Sequence, residues 1–300
     1  MDGFFDSPLD YGALMEHCEH ISEAYPSIKL KYIGNSLLSR RIPILCFGEG
    51  MGGEVFYCAG HHGSEWLCSA LLLRFMAELG ELERAGRTLW GISLPYLART
   101  RRITVLPQLN VDGTDIAIHG VSEDCPTKER LERANGSEDF SCWQANARGV
   151  DLNHNYNSRF YEYKEIERTE GIYAAASTRW SGEYPESEPE CACLANYLRY
   201  NAPKLLLSFH SQGEEIYGNT GEIEGADGIA MRLSAYTGYR LSTPEGSAGY
   251  GGLCDWYREE MRLPAFTFEC GKGKNPLPLS DGEGIYSRLR RALFCAPTLV

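Results

Sequence analysis

The feature that most restricts how this chain can fold is an alternation. Short apolar runs take turns with longer segments whose apolar residues recur at helical spacing. "SIKLKYIGN", "RIPILCFG", "EVFYCAG", "RITVLPQLN", "KLLLSFH" and "AFTFEC" read as strands. "PLDYGALMEHCEHISEAYP" reads as an amphipathic helix stopped by Pro26, and Ser64–Leu79 as a helix with Leu67, Leu71, Leu72, Phe75 and Leu79 at helical spacing. Further helices are predicted near Pro189–Tyr200, Gly228–Tyr239, Asp255–Met261 and Gly284–Phe294. Residues 113–187 are rich in polar and turn residues and resist assignment. The order predicts an α/β fold: a mixed, mostly parallel, twisted sheet with helices on both faces. No repeat or linker interrupts the 300 residues, so residues 1–300 are expected to form a single catalytic domain.

Composition narrows the function. A formal charge of −12 argues against a nucleic-acid partner, which needs a basic face, and against docking on anionic lipid. "LCSALLLRFMAEL" is too short for a membrane span and carries Arg74 and Glu78. "MDGFFDSPLD" lacks the basic start and apolar core of a signal peptide, so a cytoplasmic location is expected. The eleven cysteines are odd in number and follow no framework spacing, which reads as free thiols in a reducing compartment. Cys191 and Cys193 form a lone "CAC" with no second pair to complete a metal site.

In open α/β sheets functional groups gather at strand ends, and four polar clusters sit there. "AGHHGSEW" ends one strand with His61, His62 and Glu65, after a glycine that permits a sharp turn. A histidine and a glutamate from one such turn can share a metal, but a catalytic zinc commonly takes three protein ligands plus water. Either histidine satisfies this pattern. "LLLSFHSQG" places His210 at the end of a second apolar strand. "AFTFECGKG" places Glu269 at a third, on the same face as Thr267. A glutamate there must be paired, solvated or neutralised, or serve as a general base with a raised pKa. "RGVDLNHNYN" packs Asp151, Asn153, His154 and Asn155 around two apolar residues.

Taken together, "GHHGSEW", "SFHS" and "FTFE", in that order and joined by "NVDG" and "GVDLN", resemble the zinc carboxypeptidase family over roughly residues 10–295. The resemblance implies one Zn2+ held by His62, Glu65 and His210, with His61 a bystander. It implies Glu269 as the base that activates water, and Asp151 as the hydrogen-bond partner of the first histidine's outer nitrogen. In "GVDLNHN", His154 stands where the family has an arginine that clamps a terminal carboxylate. The tyrosine that closes over that carboxylate has no direct counterpart, and Tyr250 is the nearest candidate. The arginine that stabilises the oxyanion is replaced by Gln144 in "CWQANARGVD", with Arg148 as a second candidate.

The same segments, with "TPEGSAGY" and "FTFECGKGKNPLP", are similar to bacterial γ-D-glutamyl-L-diamino-acid peptidases. That branch implies a cell-wall peptide substrate of the L-Ala-γ-D-Glu-diamino acid type, cut between γ-D-glutamate and diaminopimelate or lysine. It implies substrate contacts from Asn153, His154, Ser211, Tyr250, Lys272, Lys274 and Asn275. The missing signal peptide favours recycling of imported cell-wall peptides. The alternatives are a conventional zinc carboxypeptidase, a deacylase of the succinylglutamate desuccinylase and aspartoacylase type suggested by "HGSE", and a non-catalytic binding module. Nothing in the sequence sets the oligomeric state.

Overall fold

The apolar runs fold as strands and the periodic segments as helices. A computed structural model describes residues 3–50, 52–218, 223–244 and 246–300. Helix α1 (Tyr11–Ala24) starts where the Asp10 carboxylate accepts from the Ala13 amide, and ends before Pro26. Strands β1 (Ile28–Asn35) and β2 (Arg41–Phe47) come next as an antiparallel pair, then β3 (Glu54–Ala59). Helix α2 (Trp66–Arg84) begins and ends later than the sequence predicts, because a 3-10 turn over Gly63–Glu65 takes up its first residues. A small hairpin, β4 (Thr88–Leu89) and β5 (Ile92–Ser93), leads through α3 (Leu94–Thr100) into β6 (Arg102–Leu106) and α4 (Val111–His119).

The polar segment that resists assignment holds α5 (Lys128–Asn135), α6 (Phe160–Thr169) and a short turn over Leu152–His154. Next come α7 (Pro189–Asn201), β7 (Leu205–His210), β8 (Glu215–Tyr217), α8 (Ala226–Thr237) and β9 (Arg240–Ser242). The chain finishes with α9 (Leu253–Met261), β10 (Ala265–Glu269) and α10 (Gly282–Cys295). Strands β8 and β9 carry no sequence signal. At three residues each they are too short to show a period.

The eight-stranded sheet runs β1-β2-β6-β3-β7-β10-β8-β9. Its centre is parallel, from β6 through β3 and β7 to β10, and antiparallel strands join at both sides. The chain leaves β3 for β6 on one side and later returns to β7 on the other. Ligand crevices form at such a reversal, beyond the strands' carboxyl ends.

Strand alternation divides the core. Val55, Tyr57, Ala59, Leu205, Leu207, Phe209, Phe266 and Phe268 pack on one face, against α1, α2, α8 and α10. Phe56, Cys58, Leu206 and Ala265 pack on the other, against α7 and α9. By the same alternation His210 and Glu269 lie on the α9 side. All eleven cysteines are unpaired, and Cys191 of "CAC" is buried with its thiol donating to the Leu152 carbonyl. Among the described residues no helix is long and apolar enough to cross a membrane.

Candidate active site

Register brings the strand ends together. Ala59 pairs with Phe209, and Glu269 pairs with His210, so the first cluster, the histidine and the glutamate leave the sheet side by side. Gly60, at φ 69°, turns the chain off β3 in a conformation that glycine adopts freely. Gly63 then sits so close to α4 that a Cβ would lie 2.3 Å from the Gly113 carbonyl oxygen. Its amide donates to the Gln144 carbonyl. This close backbone packing sends the two histidines in different directions.

His62 turns outward. Its Nδ1 lies 2.9 Å from Glu65 Oε1, and its Nε2 lies 3.2 Å from Asp151 Oδ1. His210 Nδ1 lies 3.0 Å from Glu65 Oε2. The ligand atoms of His62, Glu65 and His210 all fall within 4.8 Å of one another, a group that could hold a metal ion. His61 points inward instead, fully buried, with Nε2 3.0 Å from the Tyr156 hydroxyl. Burial, helped by His210 and His62, pushes its pKa well below the ordinary value, so it stays neutral.

The charges suit a cation. Burial alone would raise Glu65, but His62 and His210 outweigh it and hold its acid at about 2. Burial would likewise lower His62, but Glu65 and Asp151 outweigh it and push its pKa well up. With Nε2–H committed to Asp151, a neutral His62 aims a lone pair at the Glu65 carboxylate. A contact of 2.9 Å therefore needs a proton or a metal cation between them. Two imidazoles and a carboxylate, with a second carboxylate behind one imidazole, are a donor set that fits zinc.

Asp151 is held firmly. Oδ1 accepts from the Asn153 amide at 3.1 Å, and Oδ2 accepts from the Arg179 amide at 2.9 Å and the Thr178 hydroxyl at 3.2 Å. Asn275 also serves the cluster, donating to Glu65 Oε1 at 3.3 Å and to the Ser211 carbonyl at 2.8 Å. Ser211 returns a hydroxyl to Asn275 Oδ1 at 2.8 Å.

Glu269 is half-buried on the wall of a cleft of about 370 Å³ that the metal group also lines. Its carboxylate makes no hydrogen bond or ion pair with any described residue. Burial, followed by the nearby Glu65 charge, pushes its acid well above the ordinary range, against a smaller pull from His62. Gln144 lines the cleft with its side-chain oxygen against the Thr178 hydroxyl, which turns its amide N–H groups toward the cavity.

Several sequence expectations need correction. Arg148 does not line the cleft, because its guanidinium faces the buried Glu188 carboxylate at 3.5 Å. Lys272 and Lys274 also point away, on a loop turned outward at Gly271 and Gly273; Lys272 is exposed and paired with Glu214 at 2.9 Å. Tyr250 stays off the cleft lining, under the Arg159 guanidinium at 3.9 Å. Its carbonyl bonds His154 Nδ1 at 2.7 Å, and His154, stacked 4.1 Å from Tyr163, does line the cleft. Asn153 lines it too, while its oxygen caps α9 through the Leu253 amide. Thr178, Asp255 and Arg258 escape notice in the sequence. Ordinary polar residues in turns and helices carry no pattern that would mark them.

Comparison with protein families decides the class. The zinc carboxypeptidase profile matches residues 14–282. The chain belongs to the zinc carboxypeptidase family. The family uses one zinc ion, so the chain is a zinc-dependent metallopeptidase. It is 31% identical, over 92% of its own length and 69% of the relative's, to "Gamma-D-glutamyl-L-diamino acid endopeptidase 1" of Lysinibacillus sphaericus. Its fold is similar to that of thrombin activatable fibrinolysis inhibitor, at a TM-score of 0.73 and 20% identity over 100% of this chain and 75% of that one. It is also similar to murein-tripeptide amidase of Escherichia coli O157, at a TM-score of 0.51 and 20% identity over 90% of each chain. At these identities the two structures speak for the carboxypeptidase fold alone.

Proposed function

We propose that this metallopeptidase hydrolyses the amide bond between γ-D-glutamate and the following diamino acid in bacterial cell-wall stem peptides. The observation that carries the proposal is the missing carboxylate clamp. His154 lines the cleft where an exopeptidase of this family holds a guanidinium. The one arginine among the described cleft-lining residues, Arg258, is bonded to Asp255 and to the Ala265 carbonyl. With its one guanidinium already paired, the cleft is poorly built to select an ordinary residue by its terminal carboxylate alone, which suits a diamino-acid leaving group recognised through more than that carboxylate. The likeness to the Lysinibacillus enzyme supports the same bond.

The residues divide the chemistry. His62, Glu65 and His210 would hold zinc, with Asp151 fixing the His62 tautomer and Asn275 bracing Glu65. Zinc, when bound, supplies Lewis acidity and lowers the pKa of water toward ~7. Glu269 accepts a proton from the attacking water and delivers it to the leaving amine nitrogen. Its raised pKa matches that double duty near neutral pH. The Gln144 amide donates a hydrogen bond to the oxygen that gains charge as the carbonyl is attacked.

The test is mass spectrometry of the products from L-Ala-γ-D-Glu-meso-diaminopimelate with zinc present. Release of free diaminopimelate supports the proposal. Activity confined to the last residue of ordinary peptides would replace it with a conventional carboxypeptidase. Activity confined to N-acyl amino acids would replace it with a deacylase.

A further inference from the structure

Arg258 and Asp255 form an ion pair one helical turn apart on α9. Both border the cleft, yet their side chains are only 15% and 21% exposed. A pair this withdrawn from water loses hydration, and an apolar pair would stabilise the helix as well. Its placement is specific. Arg258 Nη1 donates to the Ala265 carbonyl at 2.8 Å, anchoring the guanidinium at the foot of β10. Ala265, Thr267 and Glu269 succeed one another up the cleft face of that strand. At about 3.3 Å per residue, the pair lies roughly 10–13 Å below Glu269.

Asp255 is not matched by Arg258 alone. Arg159 and His154 also bear on it, opposing the upward push of burial on its pKa. Arg159 is itself paired with Glu162 at 2.7 Å, so Asp255 and Arg258 are the charged pair this end of the cleft presents. Asp255 offers an acceptor for an ammonium and Arg258 a donor for a carboxylate.

Resting on the γ-D-glutamyl reading above, we infer that Asp255 and Arg258 are specificity residues that read the far end of the leaving amino acid and select a diamino dicarboxylic acid over lysine. Diaminopimelate ends its side chain in a carbon that bears both an amino and a carboxyl group. Extended, it reaches about 8 Å from the scissile nitrogen to that carboxylate by ordinary bond lengths, which leaves room for a hydrogen bond at each end of the span. The ammonium meets Asp255 and the carboxylate meets Arg258, so the internal ion pair is exchanged for two pairs with the substrate. Lysine ends in an ammonium alone, which would draw on Asp255 and leave the Arg258 guanidinium with the Ala265 carbonyl but no carboxylate to balance its charge. The outward Lys272 and Lys274 then need no part in recognition.

The experiment compares kcat/KM on L-Ala-γ-D-Glu-meso-diaminopimelate and L-Ala-γ-D-Glu-L-Lys for the zinc-loaded wild type, Arg258→Met, Arg258→Lys and Asp255→Asn. The readout is the ratio of the two substrates in one preparation, from which any misfolded fraction cancels. The wild type is expected to favour diaminopimelate about tenfold or more. Arg258→Met should bring the ratio close to one, Arg258→Lys should recover part of it, and Asp255→Asn should lower kcat/KM on both peptides. Equal wild-type rates on the two peptides, or an Arg258→Met ratio within twofold of the wild type, overturn the inference alone. A zinc-loaded wild type that cleaves neither peptide overturns the functional reading and this inference with it.

Discussion

Replacing Asp151 by Asn removes one charge and little else, and the four donors around the carboxylate set the cost. Oδ1 takes His62 Nε2–H and the Asn153 amide; Oδ2 takes the Arg179 amide and the Thr178 hydroxyl. An asparagine can serve only one of these sides. Turned with its oxygen toward His62, it leaves the Arg179 amide facing an N–H, while Thr178 can swing its hydrogen fully onto Gln144. One buried amide without an acceptor costs about 1–3 kcal/mol of folding stability. The bond from His62 survives but loses its charge assistance. Loss of such a partner typically weakens metal binding 10–100-fold, or about 1.4–2.7 kcal/mol.

The effect should also depend on pH. Asp151 favours the proton on His62 as well as the metal, so the wild type meets stronger proton competition as pH falls. The difference between Asp151→Asn and wild type should be largest at alkaline pH and shrink toward pH 6. The assay is competition for zinc against a chromogenic chelator at several pH values, with urea unfolding of the metal-free proteins alongside. A folded variant that binds zinc within twofold of the wild type at pH 8 would refute the role given to Asp151. So would a deficit that widens as pH falls.

Glu269→Gln should keep one zinc per chain and lose turnover by about 10²–10⁴-fold, as measured by metal analysis and kcat. Because the folded pKa of Glu269 is raised, ionising it opposes folding as pH rises, so the same variant should be no less stable than wild type above pH 6 in urea unfolding. Glu190 supplies a test away from the cleft. It is fully buried, accepts from the Leu37 amide at 2.8 Å, and burial raises its acid from 4.5 to about 7. Its neutral form fits the fold, so stability is intact below pH 4.5 and falls as pH rises through 7. The gap of 2.5 units between 4.5 and 7 corresponds to about 3 kcal/mol. Glu190→Gln should therefore gain up to about 3 kcal/mol at pH 8 and almost nothing at pH 4.5, by urea unfolding at the two pH values.

Much of the site was legible because its central residues end apolar strands. A histidine after "LLLSF" and a glutamate after "AFTF" stand out against runs that only a buried sheet accepts, and alternation alone puts Glu269 on the face of Thr267. Helices α1, α2 and α7–α10 were equally readable, since each buries one stripe, whereas α3, α4 and the two helices of the polar segment, α5 and α6, were not. The short strands β8 and β9 were not, nor was the order of strands in the sheet. Both rest on pairing between segments that are distant along the chain.

What the sequence by itself determined is the chemistry available at each strand end and the kind of sheet that carries it, because both derive from periodicities of two and 3.6 residues. Which side chains work together was decided only in three dimensions. The turn at Gly60 and the close approach of Gly63 to α4 send His62 to the cluster and His61 to Tyr156. Glu188 draws Arg148 away and leaves Gln144 facing the cleft, while a loop turned outward takes Lys272 to Glu214. The parallel register of β7 with β10 puts Glu269 beside His210, and α9 sets Arg258 and Asp255 below them. Each of these partners is selected by a contact across the fold, and no local pattern of residues encodes where a distant segment will dock.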